Sequence, residues 1–87
     1  NSGGIRVKVE VLLFASLRDL AQSDRISVEL AEDATVADLL VSISTQYPLL
    51  EDRVALSRVA VNDRFSCSED PIPPGSELAL IPPVSGG

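Results

Sequence analysis

The chain closes on Ile81-Pro82-Pro83-Val84-Ser85-Gly86-Gly87, and this stretch carries the most readable chemistry in the sequence. Proline holds φ near −65° and excludes helix, so Pro82 and Pro83 favour an extended arm. Gly86 and Gly87 have no Cβ, which makes the last steps of that arm thin and flexible. Such an arm could thread a narrow channel and present a carboxylate deep inside another protein. An α-carboxylate, ionised at neutral pH, is a poor electrophile. Making it reactive requires a good leaving group, and an acyl-adenylate formed with ATP supplies one.

The chain lacks the means to do this itself. It contains no G-x-x-x-x-G-K-S/T phosphate loop, no histidine for general-base work and no convincing pair of catalytic carboxylates. The reading that follows is a substrate or carrier: the reactive atom lies on Gly87, and the activating machinery belongs to a partner. The plain alternative is that residues 82–87 are an idle chain end.

The elements that must position this tail follow from hydrophobic periodicity. Ile5, Val7, Val9, Val11 and Leu13 alternate with Arg6, Lys8 and Glu10, the pattern of a half-buried strand. A short helix follows through Leu17, Leu20 and Ala21, then a second alternating strand through Ile26, Val28 and Leu30. Thr35 and Asp38 have capping-box spacing. Val36, Leu39, Leu40, Ile43 and Tyr47 then mark the main helix, about 36–47, which Pro48 ends. Residues 48–56 read as a loop or short helical turn. Val59 and Val61 mark a third strand, Asn62-Asp63 a tight turn into a short strand at Phe65, and Leu78 to Ile81 the last strand. The order predicts an α+β fold of the β-grasp, ubiquitin-like kind: a mixed four- to five-stranded sheet packed on one main helix, with the last strand parallel to the first. Residues 1–4 read as a flexible arm or cloning remnant, 5–81 as the β-grasp domain and 82–87 as the extended tail.

Composition narrows the function classes. At 87 residues the chain has room for one modest, aliphatic core; its aromatic residues are Phe14, Tyr47 and Phe65. Thirteen acidic residues against seven basic give a net charge of −6, with no cluster of Lys and Arg of the kind that binds nucleic acid. A single cysteine, Cys67, allows neither an internal disulfide nor the four-cysteine site of a redox iron–sulfur protein, and fits a reducing, cytoplasmic setting. No apolar run is long enough for a membrane helix, and no signal peptide is expected.

The segments "LLFASLRDL", "VAVND", "PPGSELAL" and "LALIPPVSGG" together resemble the small-subunit family of molybdopterin synthase, over nearly the whole span from Ile5 to Gly87. The resemblance implies a sulfur carrier rather than a self-sufficient enzyme. A ubiquitin-activating-like enzyme would adenylate Gly87 with ATP, and a sulfur donor protein would convert the adenylate to a thiocarboxylate. The charged carrier would dock on the large synthase subunit, in a heterotetramer, and pass sulfur to a pterin precursor to form the dithiolene. No cofactor would be bound by the chain itself; ATP belongs to the activating enzyme, and the sulfur is carried covalently. The resemblance places Gly86, Ser85, Val84, Pro83 and Pro82 in the partner's channel, and Arg18 at the family's helix arginine.

Ile81 faces away from Leu78 and Leu80 and is expected to join an apolar docking patch with Leu12 and with Phe14 or Phe65. The bland reading of each is ordinary core or a scattered surface apolar residue. Arg18 could contact the activating enzyme or be a solvated charge near Asp19 or Asp24. Cys67 is read as a packing or exposed residue, not a persulfide carrier. Two alternatives stay open: a sulfur carrier for thiazole or tRNA thiolation, and a β-grasp interaction module whose tail is idle.

Overall fold

The computed structural model describes residues 6–83. The expected arm at 1–4 and the tail residues Val84, Ser85, Gly86 and Gly87 lie outside the described residues.

Five strands form one sheet: β1 (Arg6–Leu13), β2 (Arg25–Ala31), β3 (Arg58–Val61), β4 (Arg64–Phe65) and β5 (Leu78–Ile81), in the order β2-β1-β5-β3-β4. β1 and β5 are parallel, and every other pairing is antiparallel. Helix α1 (Ala15–Ala21) lies in the β1–β2 connection, and α2 (Val36–Gln46) follows β2. This is the expected β-grasp arrangement, with all five strands formed.

Helix α2 begins where the sequence says it should. The Thr35 hydroxyl accepts from the Asp38 backbone N–H, and the Asp38 carboxylate accepts from the Thr35 backbone N–H at 3.1 Å. Val36, Leu39 and Ile43 then fall on one face and are buried against the sheet. Pro48 ends the helix and opens a 3₁₀ turn (Pro48–Leu50), which runs into the single turn α3 (Glu51–Val54). Leu50 and Val54, four residues apart, are both buried, so the segment read as loop or helical turn contributes to the core.

On the sheet, Val11, Leu13, Ile26, Val28, Leu30, Val59, Leu78 and Leu80 face the helices and are buried. Val7 points to the same side as Val9 and Val11, opposite Leu30, as expected, yet is 39 % exposed. There the helical layer stops short, leaving a groove of about 140 Å³ between Val7, Val9 and Leu30 on one side and Ile72, Pro73 and Pro74 on the other.

The free edge of β2 is covered. Leu13 N–H donates to the Asp24 carbonyl at 2.8 Å, so the backbone groups of Arg25, Ser27 and Glu29 turn away from β1. The Tyr47 hydroxyl donates to the Ser27 carbonyl at 3.1 Å, and the Gln46 amide to the Glu29 carbonyl at 3.5 Å. The end of α2 thereby occupies positions that another strand would need. No helix among the described residues is long and apolar enough to cross a membrane.

Because the Thr35 hydroxyl satisfies a helix-end N–H, Thr35→Ala should cost about 1 kcal/mol of stability, while Thr35→Ser keeps the cap. Thermal unfolding by circular dichroism checks this, with a drop of roughly 4–8 °C expected for Ala and little for Ser.

Candidate functional site

The last strand is locked before it reaches the tail. Asn62 and Asp63 adopt φ values of 52° and 69°, the left-handed pair of a two-residue hairpin turn between β3 and β4. From this turn Asn62 N–H donates to the Glu77 carbonyl at 2.8 Å, and Glu77 N–H donates to the Asn62 side-chain oxygen at 3.0 Å. β5 therefore starts in a fixed place between β1 and β3. Leu78 and Leu80 are fully buried among the core residues.

The strand ends at Ile81 because Pro82 has no N–H to extend the ladder. Pro82 itself is buried, and alternation puts it on the face of Leu78 and Leu80. Pro82, expected in the extended tail, thus packs on the domain, whereas Pro83 is exposed. Val84, Ser85, Gly86 and Gly87, the other residues expected to enter the partner, are outside the described residues.

The face of the sheet away from the helices gathers several of the expected docking residues. Register places Leu12 beside Ala79, Ala79 beside Ala60, and Ala60 beside Phe65. Ile81 lies on the same face, opposite Arg58. Leu12 and Ile81 are half-buried, and Phe65 is 59 % exposed. Phe14 follows β1 at the end of the sheet where β5 finishes, and is 46 % exposed. Arg18 is exposed on α1, outside this row, and forms no ion pair with Asp19 or Asp24; among the described residues the one ion pair is Arg25 with Glu10 at 3.0 Å. Cys67 is a free, exposed thiol.

Three members of the face were not picked out from sequence. Ala60 and Ala79 provide a low, flat centre between the larger residues. The Arg58 guanidinium lies 4.9 Å from the centre of the Phe65 ring, in stacking range. The signal was present in "SRVAVND", where Arg58 and Ala60 alternate with Val59 and Val61.

Residues 11–87 match the ThiS family. The chain belongs to that family. A curated relative from Drosophila melanogaster, named molybdopterin synthase sulfur carrier subunit, is 35 % identical over 94 residues, covering 100 % of this chain and 99 % of the relative. Among solved structures, small archaeal modifier protein 1 of Haloferax volcanii superposes with a TM-score of 0.79 at 34 % identity, covering 88 % of this chain and 98 % of that one. A complex of subunits 1 and 2 of the molybdopterin-converting factor from Helicobacter pylori contains a chain of the same fold, with a TM-score of 0.64 at 24 % identity, covering 93 % of this chain and 100 % of that one.

In this ThiS-family chain the turn into α1 is strained. Ala15 has a φ of 52°, a left-handed backbone that Cβ disfavours by about 1–2 kcal/mol. It sits directly after Phe14, at the sheet end from which the tail leaves. Ala15→Gly should therefore raise the unfolding free energy by about 0.5–1 kcal/mol, read as a higher denaturant midpoint with an unchanged slope.

Proposed function

We propose that this chain is the sulfur-carrier subunit of a molybdopterin synthase, with Gly87 as the group that is activated and loaded. The observation that carries the reading is the family match through to the closing Gly-Gly, on a chain whose last strand is anchored at the centre of the sheet. The relative from Drosophila melanogaster bears the name of that subunit and aligns along its whole length.

The chemistry divides between the chain and its partners. An activating enzyme joins the Gly87 carboxylate to the AMP part of ATP, releasing pyrophosphate. A donor delivering sulfur at the sulfide level attacks the acyl carbon, and AMP leaves. The product is a thiocarboxylate, whose sulfur is polarisable and nucleophilic at neutral pH where the parent carboxylate is not. The sulfur stays tethered, so free sulfide is not released. The large synthase subunit receives the tail and supplies the pterin substrate. The chain's own part is to hold β5 rigid, to present a slender end, and to dock through the face containing Leu12, Ile81, Phe14 and Phe65. The H. pylori complex is consistent with a carrier that works on a second subunit.

A second reading has one observation in its favour: the likeness to an archaeal protein named a modifier. The same adenylated terminus could acylate an amine of another protein instead of accepting sulfur.

Intact mass separates these outcomes. Incubation with a ubiquitin-activating-like enzyme, ATP and a sulfur donor should add about 16 mass units, the exchange of one oxygen for sulfur. One residue added after Gly87 should abolish the change. A covalent adduct with a second protein would favour the modifier reading, and an unchanged mass with a competent enzyme would count against both.

Ile81→Asp tests the docking face. A charge placed within an apolar contact should weaken binding to the large subunit at least about tenfold. Since Ile81 is only half-buried in the isolated chain, the melting curve should show a folded domain. Unchanged affinity in calorimetry would remove Ile81 from the interface.

A further inference from the structure

The charges of this acidic chain are sorted by face. Within the strands, the side chains turned away from the helices include Arg6, Lys8, Arg25 and Arg58 but only two acids, Glu10 and Glu29. Four of the seven basic residues thus share a face with two of the thirteen acidic ones, on a chain with a net charge of −6. A surface of that sign on such a chain is not explained by solubility, which the overall negative charge already provides.

These cations are not equivalent. Arg25 is paired with Glu10 at 3.0 Å. Register places Glu29 opposite Lys8, within the same-face neighbourhood that moderates it. Arg6 lies at the far end of β1, opposite Ala31 and distant from the tail. Arg58 stands apart from all three. It is exposed, has no carboxylate partner among the described residues, and lies opposite Ile81, the last strand residue before the tail. Its guanidinium is held against the Phe65 ring. Stacking reduces the freedom of a long side chain without neutralising its charge, so the hydrogen-bonding edge stays available to a planar anion.

We propose that Arg58 is a specificity determinant of the docking face, pairing with a carboxylate on the large synthase subunit beside the mouth that receives the tail. This rests on the sulfur-carrier reading and adds to it the chemistry of the partner surface: apolar opposite Leu12, Ala79 and Ile81, and acidic opposite Arg58. An apolar patch alone would not fix rotation of the carrier about its docking axis. A charge at the margin does, because turning it away from its carboxylate leaves both ions unpaired. It also favours a partner of matching sign during encounter.

The test is the rate of association of the full chain with the large subunit, measured by stopped flow across a range of salt concentrations. For Arg58→Glu the rate at low salt should fall about tenfold, and the difference from wild type should shrink to within about twofold at high salt. Arg58→Gln should lose about threefold at low salt, and Arg58→Lys, which keeps the charge but not the stacked planar fork, should lose less than Arg58→Gln. Melting curves establish that each variant is folded; Arg58→Gln serves if the reversal is not. Equal rates for wild type and Arg58→Glu at low salt overturn the proposal, as does a loss that salt does not diminish or one that Arg58→Lys shares in full. Those results leave the carrier reading in place. If the wild-type chain does not bind the large subunit at all, the carrier reading fails, and the role of Arg58 fails with it.

Discussion

The placement of β5 between β1 and β3 is the constraint on which the other features depend. A central strand is hydrogen-bonded on both edges, and its inward side chains, Leu78 and Leu80, are fully buried. Full burial of a leucine is worth about 1.5–3 kcal/mol, so two of them hold the strand firmly against displacement. Strand β5 can then keep its place whatever the residues after Pro83 engage. The hydrogen bonds between Asn62 and Glu77 fix where that strand begins, and Pro82 fixes where its ladder stops.

The two faces of the sheet answer to different demands. The helix side is a continuous aliphatic core, completed by Leu50 and Val54 from the turns after α2. The other side has no covering layer among the described residues. Its central row, Leu12, Ala79, Ala60 and Phe65, is apolar but low, and its flanks carry Arg58 and the Arg25–Glu10 pair. Small residues at the centre let a partner approach the backbone closely, and charged margins limit which partner can. The capped edge of β2 complements this arrangement: with Tyr47 and Gln46 occupying the Ser27 and Glu29 carbonyls, that edge is closed to strand addition.

Much of this was legible in the residues because the local signals agreed with one another. The Thr35–Asp38 cap, the apolar spacing that follows it and Pro48 all point to one helix, and Asn62-Asp63 between short apolar runs points to one turn. Where the sequence fell short, the missing information was relational. The stretch 48–54 is too short to show a period, and its two buried residues are recognised only against α2. Val7 continues a clean alternation, yet its exposure depends on how far the helical layer reaches. Pro82 looks the same in sequence whether it belongs to the arm or to the body. Arg58 meets Phe65 only because β3 and β4 fold back on each other, so its stacking requires the register and not just the composition.

The burial of Pro82 bears on how the tail could work. If the domain ends at Pro82, five residues separate it from the far side of Gly87, and a fully extended chain of five residues reaches at most about 18 Å. On the sulfur-carrier reading, a group loaded on Gly87 would then meet its target within that radius of the sheet end. A partner that binds elsewhere on the domain, or binds the sheet face at the wrong rotation, would place its active site out of reach. The short tether thus makes docking geometry part of the chemistry. A rigid β5, a flat apolar face that meets it at Ile81, and a charge at that same position that fixes orientation are the features a short reach requires.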